Sequence, residues 1–194
     1  MKFSLLIVFT LSTYITFSQT QDTSNEIDWM SWDEAIEARA KFMEENAELL
    51  KERKIAPKKI FIDAYTTWCG WCKKMDASTF KDPTVVKYMN ERYYAVKLNA
   101  EMKDTIEYNG HKFFNPAPQG KKGTHTLASS LMDGKMSYPT YIIMDENVNR
   151  AAIFPGYKNV TDFFGIISFF GSNEYLRYKQ YIEQTVKAQN NMGN

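Results

Sequence analysis

The sequence predicts an α/β protein with a mixed central sheet flanked by helices. Three observations carry this: one long segment with apolar residues at helical spacing, several short apolar runs of strand length, and turn signals that separate them in an alternating order. With 194 residues, 44% apolar and 24% charged, the chain has the composition of one globular domain able to bury its own core. Lys and Arg number 24 against 23 Asp and Glu, and the short cluster Lys51, Arg53, Lys54, Lys58 and Lys59 is its only basic run, so nucleic acid is not an expected partner.

The first eighteen residues differ from the rest. Lys2 precedes an apolar stretch of about 15 residues, short of the roughly 20 that cross a bilayer as a helix, and Thr16 and Ser18 place small residues before Gln19. Residues 1–18 are therefore expected to be a secretory signal peptide, cleaved near Ser18, with the mature protein in the periplasm or outside the cell. Its loss leaves 23 basic against 23 acidic residues. Residues 19–28 are polar and aperiodic and are expected to be a flexible lead-in to a domain over 29–170.

Ser31 with Glu34 forms a capping-box signature, and Trp32, Ile36, Ala40, Met43, Ala47 and Leu50 follow at spacings of three and four, predicting a helix that ends before Pro57. Residues 59–65 hold the continuous run Ile60, Phe61, Ile62, a strand buried on both faces. Asp82 before Pro83 opens a further helix, and residues 93–99 predict a second strand. Asn109-Gly110 marks a hairpin within 105–114, and 115–123, with two prolines and two glycines, is an exposed loop. A short helix over 126–132 ends at Asp133-Gly134. Strands over 138–144 and 151–154 follow, then helices over 161–170 and 173–188 parted by Gly171, with a frayed tail. Phe163, Phe164, Phe169 and Phe170 are assigned to the core.

Cys69 and Cys72 are the only cysteines. A Cys-x-x-Cys pair on the first turn of a helix has a chemical use: the helix dipole and free amides stabilise a thiolate at the first position, and the second thiol, one turn along, resolves the mixed disulfide. Two other readings stand beside this one. The pair is an inert bridge, although so short a ring removes little unfolded-chain entropy, or it is half of a zinc site completed by His111 and His125, both expected on exposed loops and poorly spaced for the metal. No metal site is expected.

Trp68-Cys69-Gly70-Trp71-Cys72-Lys73 resembles the active-site motif of the thioredoxin superfamily, and the resemblance extends over about residues 29–170. It implies a thioredoxin-like fold in which Cys69 is the nucleophile and Cys72 the resolving thiol. Asp63 stands at the family's buried acid, Lys97 at the lysine near that acid, Tyr138-Pro139-Thr140 at its cis-proline segment, and Gly156 at a glycine beside the substrate groove. The run from Asp63 to Pro83 is most similar to exported thioredoxin-related proteins. Buried among apolar neighbours, Asp63 should have a raised pKa and exchange a proton with Cys72. Trp68, Trp71, Tyr65 and Tyr138 should rim the cysteines, and Lys73 and Lys74 add positive charge beside them.

The chain departs from the familiar pattern where Trp71 replaces a proline, where Tyr65 stands for a tryptophan, and where Tyr138 is bulkier than usual. Between Asn99 and Pro139 lie 39 residues, roughly twice the minimal family spacing, so an insert at about 101–124 is expected. The functional expectation is an exported thiol–disulfide oxidoreductase of the protein-disulfide reductase type, with isomerase or oxidase action, or non-catalytic polypeptide binding, as alternatives. Its partners would be disulfide-containing exported proteins and a membrane thiol-reductant relay, since export leaves no nicotinamide supply. It needs no cofactor beyond the Cys69–Cys72 couple, and nothing in the chain demands more than a monomer.

Overall fold

Alternation along one buried strand sets the architecture. The structure, a computed structural model, describes residues 25–172 and 174–192; the expected signal peptide (1–18), residues 19–24 of the lead-in and residues 193–194 of the tail lie outside them. In β2 (Lys59–Tyr65), Ile60, Ile62 and Ala64 face one side of the sheet and Phe61 and Asp63 the other, and all five are buried. β2 pairs in parallel with β3 (Tyr93–Asn99) and antiparallel with β6 (Thr140–Met144). β1 (Trp29–Met30) joins β3 and β7 (Arg150–Pro155) joins β6, giving the mixed order β1-β3-β2-β6-β7.

The face of Ile60 and Ile62 is covered by α1 (Trp32–Glu45), α5 (Thr126–Leu131) and the inner residues of a separate hairpin, β4 (Ile106–Tyr108) and β5 (His111–Phe113). The face of Phe61 and Asp63 is covered by α3 (Gly70–Ala77), α4 (Pro83–Arg92) and α6 (Val160–Gly171). There Phe61, Phe80, Tyr141 and Phe163 pack ring against ring, with centroids 5.3–6.1 Å apart. This is a thioredoxin-like α/β fold, with the cysteine motif at the C-terminal end of the central parallel strand. No helix among the described residues is long and apolar enough to cross a membrane.

Local chemistry accounts for the boundaries. Ser31 and Glu34 form both bonds of a capping box at α1. Asn109 and Gly110 take positive φ, as a two-residue hairpin turn requires. The Asp82 carboxylate accepts from the Thr84 and Val85 amides at the start of α4, with Pro83 at the first helical position. Asp82→Ala is expected to remove about 1 kcal/mol of stability, measured as a lowered midpoint in urea with an unchanged slope.

Several expectations need correction. The lead-in does not run to residue 28: Ile27 is buried, and the Asn90 side chain bonds the Glu26 carbonyl and the Asp28 amide, so the domain is already anchored there. The first helix breaks at Asn46, whose amide and side chain both return to the Phe42 carbonyl, and a short α2 (Ala47–Lys51) follows. Its inward face is Trp32, Ala35 and Ile36, whereas Ala40, Met43 and Ala47 are exposed, because the helix runs past the sheet it covers. The sixth strand begins after Pro139, which has no amide to give the ladder. Phe164 and Phe169 are half-buried, resting on Tyr88 and on Tyr175 and Tyr178, the latter two on α7 (Glu174–Met192). His125 is fully buried rather than on an exposed loop, its Nδ1 accepting from the Leu127 amide at the start of α5. Burial holds its pKa below the ordinary histidine value.

Candidate functional site

At the end of β2 the chain turns so that the Cys69 amide bonds the Thr66 carbonyl, and Cys69 becomes the N-cap of α3. Its Sγ accepts from the Cys72 amide at 3.0 Å. Sulfur thus occupies the position of a capping oxygen, where unpaired amides and the helix dipole favour negative charge. Cys69 and Cys72 are joined as a disulfide, with Cα atoms 5.3 Å apart. They are 4% and 2% exposed, so the bridge is almost fully covered. His111 lies on β5 and His125 at the N-cap of α5.

The register places Asp63 opposite Lys97 on β3 and opposite Tyr141 on β6. Asp63 is 1% exposed, and its carboxylate accepts from Lys97 Nζ at 2.7 Å. Burial pushes its pKa up to about 6, against the opposing pull of Lys97. Lys97 also binds Asp76 on α3, and its ammonium lies 4.7 to 5.2 Å from the ring centres of Trp29, Tyr65 and Phe80. Burial lowers the Lys97 pKa, but the two carboxylates outweigh it and hold the value above the ordinary lysine range. Asp76 escaped the sequence reading; its only sign is its position four residues after Cys72, on the same helical side. Lys97 and Asp76 open to a cavity of about 260 Å³, while the second oxygen of Asp63 and the Tyr141 hydroxyl are buried without a hydrogen bond.

The Tyr138–Pro139 peptide bond is cis, and the Pro139 carbonyl accepts from the Gly156 amide at 2.8 Å. Gly156 has φ +82°, a conformation that favours glycine. Trp68 and Trp71 are each 56% exposed. Trp68 meets Tyr138 edge to face at 5.9 Å, and Trp71 leans on Tyr157 at 5.4 Å with Lys74 Nζ 5.0 Å from both rings. Tyr157 was missed, and Tyr65 belongs to the Lys97 cage rather than to this rim. Gly70 opens α3, and a Cβ there would meet nothing within 4 Å, so the position presents open surface.

A family model described as Thioredox_DsbH, "Protein of unknown function, DUF255", matches residues 8–115, more than half the chain. The chain belongs to this family. The span shared with the DsbH-type thioredoxins contains Asp63, both cysteines, Asp76 and Lys97, while Tyr138, Pro139 and Gly156 lie beyond it. Among curated proteins, an uncharacterized protein of Caenorhabditis elegans is 26% identical over 87 residues, which is 45% of this chain and 10% of that relative's length. Among solved structures, a thioredoxin from Thermus thermophilus is 11% identical with a TM-score of 0.49, covering 77% of this chain and 90% of its own. A putative disulphide-isomerase from Bacteroides thetaiotaomicron is 20% identical, with a TM-score of 0.45 and coverage of 74% and 89%. The oxidised C-terminal domain of DsbD from Neisseria meningitidis is 18% identical, with a TM-score of 0.41 and coverage of 73% and 98%.

Proposed function

We propose that the protein is an exported thiol–disulfide oxidoreductase that reduces disulfides in other exported proteins. The observation that carries this is the Cys69–Cys72 disulfide at the N-terminus of α3, on the sheet face that also buries Asp63. A structural bridge has no use for a capped sulfur, a buried acid and two exposed indoles together; exchange uses all three.

In the reduced protein the Cys69 thiolate attacks one sulfur of a substrate disulfide, forming a mixed disulfide and displacing a substrate thiolate. Cys72 gives its proton to Asp63 and attacks Cys69 Sγ, releasing the second substrate sulfur as a thiolate, which takes up a proton. Two electrons pass to the substrate and the Cys69–Cys72 disulfide of this structure remains. Asp63 suits the proton transfer because a pKa of about 6 lets it both hold and release a proton near neutral pH. The couple carries the electrons itself, so no further cofactor is needed, and a membrane thiol relay is the proposed source of reducing equivalents. Pro139 presents the backbone of Tyr138 for pairing with an extended substrate segment.

The deciding measurement is the reduction potential of the couple, read by the fluorescence of Trp68 and Trp71 in glutathione buffers. A value near or below about −230 mV supports the reductase reading. One near or above about −180 mV turns it toward disulfide formation or isomerisation, and no reversible couple leaves a polypeptide-binding module.

A further inference from the structure

We propose that Glu101, at the entrance of the 101–124 insert, is a positioning residue that selects polypeptide disulfides over small-molecule disulfides, by fixing the Trp68 indole as one wall of the approach to Cys69. The proposal rests on the oxidoreductase reading and names the contact that sets its preference for protein substrates.

Trp68 immediately precedes Cys69, and its exposed ring makes a hydrogen bond: Nε1 donates to the Glu101 carboxylate at 2.9 Å. Glu101 is itself fixed from two sides. Its amide donates to the Asn99 side chain at the end of β3, and its carbonyl accepts from the Asn115 side chain. Asn115 is nearly buried and also binds the Gly123 carbonyl and the Ala117 amide, so it ties both ends of the insert's loop together. The loop has no slack at Gly123, where a Cβ would lie 2.4 Å from the Ala117 Cβ and 2.6 Å from the Asn115 oxygen. The insert's hairpin is anchored as well, with Ile106 buried in the core and Tyr108 edge to face with Trp32. Lys122 Nζ, returning from the loop, stands 5.8 Å from the Trp68 ring centre.

The insert is thus a brace that meets the redox motif at the indole beside the attacking sulfur. A ring already held against Tyr138 gives apolar surface to residues flanking a substrate cystine without the entropy loss of ordering a free tryptophan at the moment of binding. A small disulfide has no flanking residues and gains nothing from the wall.

The test uses reduced full-length mature protein and two oxidants, insulin and bis(2-hydroxyethyl) disulfide. Glu101→Ala frees the indole, and the ratio of kcat/KM for insulin to that for the small disulfide is expected to fall about threefold to tenfold, through a raised KM for insulin. Glu101→Gln keeps an acceptor oxygen and is expected to restore the ratio. A ratio that Glu101→Ala leaves unmoved overturns the proposal, as does equal loss in Ala and Gln variants. Exchange with neither disulfide by the unsubstituted protein removes the oxidoreductase reading itself; exchange with both, at a ratio the substitution does not move, overturns this proposal alone.

Discussion

Cys69→Ser is expected to lower disulfide exchange by at least about a thousandfold, as removal of a nucleophile does, while far-ultraviolet circular dichroism and the unfolding transition show the fold retained. A serine oxygen can still accept from the residue 72 amide as an N-cap, so the start of α3 survives the change. Cys72→Ser separates the two sulfurs by role. Cys69 still attacks, nothing resolves, and the mixed disulfide accumulates as a covalent adduct of protein plus substrate, visible on a non-reducing gel and by mass spectrometry. An adduct trapped through Cys72 in the Cys69→Ser variant, and none through Cys69, would reverse the assignment.

The second large effect belongs to Asp63. In the oxidised protein the cysteines do not titrate, so the acid can be followed without them. Its pKa rises from 3.8 to about 6 on folding, chiefly through burial. Below about pH 4 both folded and unfolded chains hold the proton. Between about pH 4 and 6 the unfolded chain has lost it and the folded chain has not, so stability falls as pH rises, by about 3 kcal/mol in all. Above pH 6 both are ionised and the contribution is level. Asp63→Asn removes this fall, so its stability relative to the unsubstituted protein should climb through that window, measured by urea unfolding at pH 4 and pH 7. Glu26 and Glu34 are lowered by their partners Lys81 and Ser31 and pull the opposite way, but equally in both proteins. The same variant should resolve the mixed disulfide more slowly near neutral pH, since no group takes the Cys72 proton. A parallel pair of stability curves from pH 4 to 7 would show that Asp63 is not the buried titrating group.

Periodicity and punctuation sufficed for four of the five strands of the central sheet: a continuous apolar run defined β2, and Asp82-Pro83, Asn109-Gly110 and Asp133-Gly134 marked their turns and caps because each acts on its own backbone. Contacts between distant segments did not show. β1 is only two residues long and owes its place to pairing with β3, so no local pattern reveals it. The helix stripe was misplaced because helical spacing allows several faces, and the sheet selected the one with Trp32 and Ala35. At the site, the motif and the resemblance located the cysteines, Asp63 and Lys97. Asp76 and Tyr157 were missed because their roles arise from packing: Asp76 through a lysine on another strand, and Tyr157 through a tryptophan on another element. His125 carried no signal of burial, since its ring is placed by the distant Asp104 carbonyl and by its cap on the Leu127 amide.

The cage around Lys97 sets how the site responds to its surroundings. Surface pairs such as Lys41 with Glu45 weaken as ionic strength rises, because counter-ions screen charges that water separates. Asp63 is 1% exposed beneath Lys97 and the three rings around it, whereas the Lys97 and Asp76 side chains are 21% and 45% exposed where the cluster meets the cavity. Salt therefore reaches the cluster from the Asp76 side and screens the Asp63–Lys97 pair less than a surface pair, so the proton affinity of Asp63 is expected to change only weakly with ionic strength.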